Sequence, residues 1–259
     1  MSEQPQSLVL RLGAPLQSWG TTSQFNRRVT EDRPSKAGII GLLGAAEGRR
    51  RGDDITDLIG LSLGVRVDQP GSIMHDFHTV STLDGDALPA AKTNKKGWQV
   101  PTSPKKLTHV TRRSYLQDAV FVAVISGDQR LLHTLATALV RPRFPLALGR
   151  RSCPPTQPLI LEHANSVLWP GPVNETIRTV PWQAGIVARS QRHLGPTVQL
   201  SATIDTPDGD AIAADVPRSF DPRLRGYTIR TVAHEWIPVP TGQEADASAG
   251  HDPFALLGW

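Results

Sequence analysis

A chain of 259 residues, 39% hydrophobic and 20% charged, carries enough apolar material for a core and is not a disordered chain. Its formal net charge is only +4; 22 glycines and 22 prolines argue against a helical bundle, and a single cysteine excludes an internal disulfide and a multi-cysteine zinc site, which fits a reducing, cytosolic location. "MSEQPQS" has no charged segment leading into an apolar run, and nothing approaches about 18 uninterrupted apolar residues, so neither a signal peptide nor a membrane span is expected.

In chain order, Ser7–Leu12 alternates and predicts a first strand, followed by the loop "GAPLQSWG". Residues 21–34 are polar and carry Arg27, Arg28 and Arg33. Ser35–Glu47 predicts a helix with Ser35 as its N-cap. Gly38, Gly41 and Gly44 each cost a helix about 1 kcal/mol against alanine and share one face, so something packs close to that backbone. Leu61–Asp68 is the cleanest alternating strand, with Ile73–Val80 as its expected partner. Residues 81–113 are polar and proline-bearing with little periodicity, and read as an insertion. Ala119–Ile125 is a continuous β-branched run, a strand buried on both faces. Asp128–Val140 has leucines at helical spacing behind the N-cap Asp128, Pro142 stops it, and Pro158–Glu162 is the next expected strand. The order over 7–162 is β-α-β-β-α-β, the ferredoxin-like or RRM pattern of an α+β fold. Residues 163–240 read as a smaller β-rich region, 241–252 as a flexible polar linker, and the apolar end "PFALLGW" as a segment that docks on the body or on a partner.

The charge is segregated. Ala91–Gln117 holds seven basic residues (Lys92, Lys95, Lys96, Lys105, Lys106, Arg112, Arg113), with Trp98 among them and no acid. Arg141–Leu161 holds four arginines (Arg141, Arg143, Arg150, Arg151) and again no acid. Cations interleaved with an aromatic suit a nucleic-acid backbone and its bases; the plain alternative is a solvated lysine loop. The start of the helix at Ser35, with Lys36 and Gly38, offers free N–H groups to an anion, or else packs tightly against a sheet.

Catalytic patterns are sparse. In "HDFH", His75 and His78 point to opposite faces of a strand, a poor arrangement for one metal ion. Cys153 beside Arg150 and Arg151 could be a thiolate nucleophile but has no evident base, and a small residue in a tight turn is the favoured reading. Walker A, G-x-S-x-G and H-E-x-x-H motifs are absent. A metal-independent ribonuclease needs a base, an acid and a cation around a ribose 2′-OH, which His78, His109, Tyr115 and Lys105 could supply.

"RLGAPLQSWG" (11–20), "RPSKAGIIGLLGAAEG" (33–48), "HDFHTV" (75–80), "SYLQDAVFVAVI" (114–125) and "RPRFPLALGRRSCPPTQPL" (141–159) occur in that order. Together they resemble the Cas-five subunit family of the type I-E CRISPR Cascade complex, in the RAMP superfamily. The resemblance implies an RRM-like body with a protruding thumb at the insertion. It implies a capping subunit that holds the 5′ handle of the CRISPR RNA between a CasC backbone subunit and the large CasA subunit. On this reading Gln17 and Ser18 hydrogen-bond handle bases and Trp19 or Trp98 stacks or wedges. Phosphate contacts come from the helix start (Ser35, Lys36, Gly38), from Lys95, Lys96, Lys105, Lys106, Arg112 and Arg113, and from Arg141, Arg143, Arg150 and Arg151. Gly149 would let the chain approach RNA closely, stiffened by Pro154 and Pro155. Exposed thumb lysines would also suit target DNA near the PAM end. The type I-E branch leaves guide processing to another subunit, whereas type I-C relatives cut RNA. The expectation is therefore a non-catalytic RNA-binding subunit; the alternatives are a metal-independent endoribonuclease acting on repeat RNA and a scaffold with protein contacts only.

Overall fold

The computed structural model describes residues 4–20, 27–82, 84–190 and 195–241, apart from the side chains at 91 and 92. The N-terminal half runs β1 (Gln6–Gly13), β2 (Leu16–Gln17), β3 (Arg27–Arg28), α1 (Lys36–Glu47), α2 (Thr56–Ile59), β4 (Ser62–Gln69), β5 (Ser72–Ser81), β6 (Pro89–Thr93), β7 (Gln99–Pro101) and β8 (Thr108–Gln117). It continues with β9 (Val120–Ser126), α3 (Gln129–Val140), β10 (Leu168–Pro170), α4 (Val173–Thr179), α5 (Ile186–Ser190), β11 (Thr197–Asp205), β12 (Ala211–Ser219) and β13 (Gly226–Pro240). The class is mixed α+β with mostly antiparallel sheets. No helix among the described residues is long and apolar enough to cross a membrane.

Seven strands form the main sheet in the order β10-β1-β9-β4-β11-β13-β12, antiparallel throughout. β9 lies between β1 and β4 and is covered on both faces, which is why its sequence is apolar without alternation. On one face Leu8, Leu10, Phe121 and Ile125 pack with Ile39, Ile40 and Leu43 of α1 and Leu132 and Leu135 of α3. On the other, Val9, Val122 and Val124 meet Val173 and Ile177 of α4 and the indole rings of Trp169 and Trp182. Both long helices start at the expected caps. Ser35 Oγ accepts from Gly38 N and Asp128 Oδ1 from Leu131 N. The close neighbour anticipated at the glycine face is Trp19: a Cβ on Gly38 would lie 2.6 Å from its ring.

Four expectations change. Ile73–Val80 is a strand but does not pair with Leu61–Asp68; β4 has both edges taken, by β9 and β11, so β5 pairs with β8 instead. The insertion consequently runs from Ser72 to Gln117, because Thr108–Gln117 alternates and ladders along the whole of β5, leaving β6 and β7 as a small hairpin at the tip. Pro158–Glu162 touches β1 only through the Leu10–Ile160 bridge and flanking hydrogen bonds; the strand paired there is Leu168–Pro170. The C-terminal strands join the same sheet, since β11 pairs with β4 from Ala202–Arg66 to Ile204–Gly64. Of the linker and apolar end anticipated from 241 to 259, all but Thr241 lies outside the described residues, and Thr241 itself is buried at the end of β13.

Candidate nucleic-acid interface

The arm formed by β5 and β8 is widened by β3, which runs parallel to β8 with Arg27 opposite Arg112 and Arg28 opposite Arg113. Strand alternation puts His75, Phe77 and Thr79 on the same face as Ser114, Arg112, Val110 and Arg27. That face holds a hollow of about 640 Å³ lined by Arg27, His75, Asp76, Phe77, Val110, Arg112 and Ser114. Phe77 is 61% exposed with two guanidinium-bearing positions beside it. An aromatic ring left in water next to two cations is a stacking surface beside phosphate ligands. At the tip, Asn94 Oδ1 accepts from the backbone N–H groups of Lys96 and Trp98, and Gly97 (φ 81°) completes the turn. This turn presents Trp98, 71% exposed, together with exposed Lys95 and Lys96. Lys105 and Lys106 are exposed on the strand side of the same tip; the side chain of Lys92 lies outside the described residues.

The opposite face of the arm carries the candidate nuclease residues without assembling them. His78 is paired with Asp76. His109 lies diagonally across the ladder from His78, while Tyr115 sits four residues beyond the partner of His78, about 14 Å along β8. Tyr115 is buried beneath the Arg150 guanidinium, which stands 4.7 Å over its ring. Lys105 belongs to the tip.

The segment Leu148–Pro155 folds against the root of the arm. Gly149 has φ 89°, and a Cβ there would lie 1.7 Å from the carbonyl oxygen of Ser18, so the close approach that demands glycine is chain on chain and not chain on RNA. Arg150 donates from Nη1 to the Ser114 carbonyl at 2.9 Å and from Nη2 to the Arg28 carbonyl at 2.8 Å. It therefore ties β3 and β8 together and is a clamp, whereas Arg151 is exposed with no partner among the described residues. Cys153 is buried; burial pushes its thiol up, against the smaller opposite effects of Ser152 and Arg150. A thiol held protonated in a tight turn is a packing residue.

The N-terminal candidates are also interior. Gln17 is fully buried, donating to the carbonyls of Leu12 (3.1 Å) and Ala119 (2.7 Å) while its Oε1 accepts from Trp19 Nε1. Trp19 is buried against Gly38, and Ser18 donates to the Ser114 carbonyl at 3.4 Å. The start of α1 already has its anion: Lys36 N donates to Asp215 Oδ2 at 2.7 Å, and Lys36 Nζ pairs with Asp205 at 3.0 Å. Arg230 completes this buried cluster by bonding both carboxylates. Burial pulls its guanidinium down, but the two aspartates leave it raised overall. Ser35, Lys36 and Gly38 thus face protein, a correction to the anion-site expectation. Arg141 and Arg143 are exposed at the far end of α1, where Arg143 N donates to the Ala46 carbonyl, about 15 Å along the helix from Lys36. The residues that sequence reasoning missed are Arg27, Arg28, His75 and Phe77. Their available signal was the period of two shared by "HDFHTV" and "THVTRRSY", which marks two strands that can pair.

Fold and arm together define an α+β protein with a cation-rich β-hairpin arm tipped by an exposed aromatic. A family model described as CRISPR-associated protein (Cas_Cas5) matches residues 7–233. The chain belongs to the CRISPR-associated Cas5 family. It is 33% identical over 169 residues to the CRISPR system Cascade subunit CasD of Escherichia coli (strain K12), covering 60% of this chain and 69% of that protein. Among solved structures it is similar to a chain of a CRISPR RNA-guided surveillance complex, with TM-score 0.70, 35% identity, and 90% and 91% of the two chains covered. It is also similar to a structure described as a Cas protein, with TM-score 0.64, 33% identity, and 91% and 98% covered.

Proposed function

We propose that this chain is a non-catalytic RNA-binding subunit of a type I-E Cascade surveillance complex, working in the cytoplasm, with an RRM-like body that caps the guide's backbone assembly. In this role it holds the 5′ handle of the CRISPR RNA and contacts a CasC-type backbone subunit and the large CasA-type subunit. The observation that carries the reading is the outer face of the arm, where exposed Phe77 lies among Arg27, Arg112 and His75 over one hollow. The tip lysines and Trp98 extend that surface, and Arg151 adds a free cation at its root. The separation of Tyr115 from His78, and its burial, favour binding over cleavage.

The test is labelled repeat RNA with the purified protein in EDTA, read on native and denaturing gels. A shift without cleavage is expected. Arg27→Ala with Arg112→Ala should weaken binding and flatten the slope of log K against log salt by about 0.7 per phosphate contact removed. An unchanged slope refutes the arm as the RNA surface. A single metal-independent cut, lost in His78→Ala, refutes the non-catalytic reading.

A further inference from the structure

A second cationic surface lies at the C-terminal end of α1, away from the arm. The stem of Arg143 lies across Gly48, where a Cβ would sit 2.7 Å from its Cδ. Arg50 and Arg51 follow directly, and Gly52 comes next, its Cβ position 4.0 Å from Asp221 on the β12–β13 loop that carries Arg223. Arg141 ends α3 on the rim of a hollow of about 510 Å³ between α1 and α3. Three separate segments therefore converge on one end of the molecule. The guanidinium groups of Arg50, Arg51, Arg141, Arg143 and Arg223 find no partner among the described residues.

The chemistry of this end differs from that of the arm in three ways. Its free cations are all arginines, while the arm tip is lysine-rich. Large apolar side chains sit next to them in water: Val140 is 68% exposed beside Arg141, Leu224 is 70% exposed beside Arg223, and Phe144 is 42% exposed beside Arg143. Acids are interleaved, with Glu47 and Asp57 on Arg49, and Asp53 and Asp221 on backbone N–H groups. Those carboxylates weaken the pull of this end on a uniform polyanion. Arginines around exposed apolar residues, with lysine absent, are the composition of a protein interface.

We infer that this end of α1 and α3 is a docking face for a protein partner that presents carboxylates around an apolar patch. The inference rests on the assembly role proposed above, and it places that partner about 15 Å along α1 from the buried cluster at Lys36. The experiment uses the full chain, the other protein subunits of its complex and guide RNA, with composition read by native mass spectrometry. Arg50→Glu with Arg143→Glu should weaken retention of one protein subunit tenfold or more, while the RNA affinity of the isolated chain stays within about twofold. Leu224→Asp, at a side chain 70% exposed on a loop, should give the same loss. Full retention of every subunit in both variants overturns the inference and leaves the assembly role standing. An equal fall in RNA affinity assigns the face to nucleic acid and also overturns it. Failure of the wild-type chain to enter the complex overturns both readings.

Discussion

Replacing Arg150 and Arg151 one at a time separates two roles that adjacent identical side chains conceal. Arg150 holds the Ser114 and Arg28 carbonyls at 2.9 and 2.8 Å and covers the ring of Tyr115. Charged hydrogen bonds of this kind contribute about 1.5–3 kcal/mol each when buried, and Arg150 is only partly so. Two such bonds, halved for solvent screening, give about 1.5–3 kcal/mol for Arg150→Ala. For a chain of this size that lowers the thermal midpoint by about 3–12 °C. Hydrogen exchange should quicken in β3 and at the root of β8, because the clamp between them is gone. Arg151→Ala removes an exposed cation with no protein bond, so its thermal midpoint should match wild type. Its RNA affinity should fall, with a salt slope flatter by about 0.7. Circular dichroism melts and a salt series of native gels measure both variants. Melting of Arg150→Ala at the wild-type temperature, with an RNA defect equal to that of Arg151→Ala, would refute the clamp.

Gly38→Ala should destabilise by about 1–3 kcal/mol, because its methyl would lie 2.6 Å from the Trp19 ring, whereas Gly41→Ala meets Phe220 at an ordinary 3.6 Å and should gain up to about 1 kcal/mol; chemical denaturation midpoints moving in the same direction would contradict this. Asp215→Ala strips the start of α1 of its acceptor and leaves Arg230 short of a carboxylate with its side chain 11% exposed, so a loss of about 3 kcal/mol is expected in the same assay, and a loss under about 1 kcal/mol would count against the cluster as an anchor. Burial holds the Cys153 thiol above its ordinary range, so the folded state keeps the proton longer than the unfolded chain. That contribution is complete below the ordinary thiol pKa and is lost as pH rises through the higher folded value, so stability should decline on the alkaline side; alkylation of the folded protein at pH 8 at the rate of a free thiol would refute the assignment.

The elements that could be read from the chain alone are those whose signal is local. Ser35 and Asp128 announce their helices because a cap bonds the amide three residues ahead. The unbroken run in β9 announces two covered faces, and the acid-free segments mark where the cations lie. The order of five motifs was enough to suggest the family, which the match over residues 7–233 establishes. Neighbours were not legible in the same way. A period of two says which side chains share a face but not which edge a strand takes, so the pattern alone points β5 to its chain neighbour β4, whose edges β9 and β11 fill. Burial of Gln17 and Trp19 depended on Ala119 and Gly38 closing over them, and the anion for α1 came from Asp215, 179 residues away. Whether an arginine faces RNA or clamps two carbonyls is decided by which backbone lies within its reach. Local sequence thus determined the conformation of the main segments and the placement of their charge; tertiary structure alone decided which polar groups remained free to bind, because partners distant in the chain satisfy the others first.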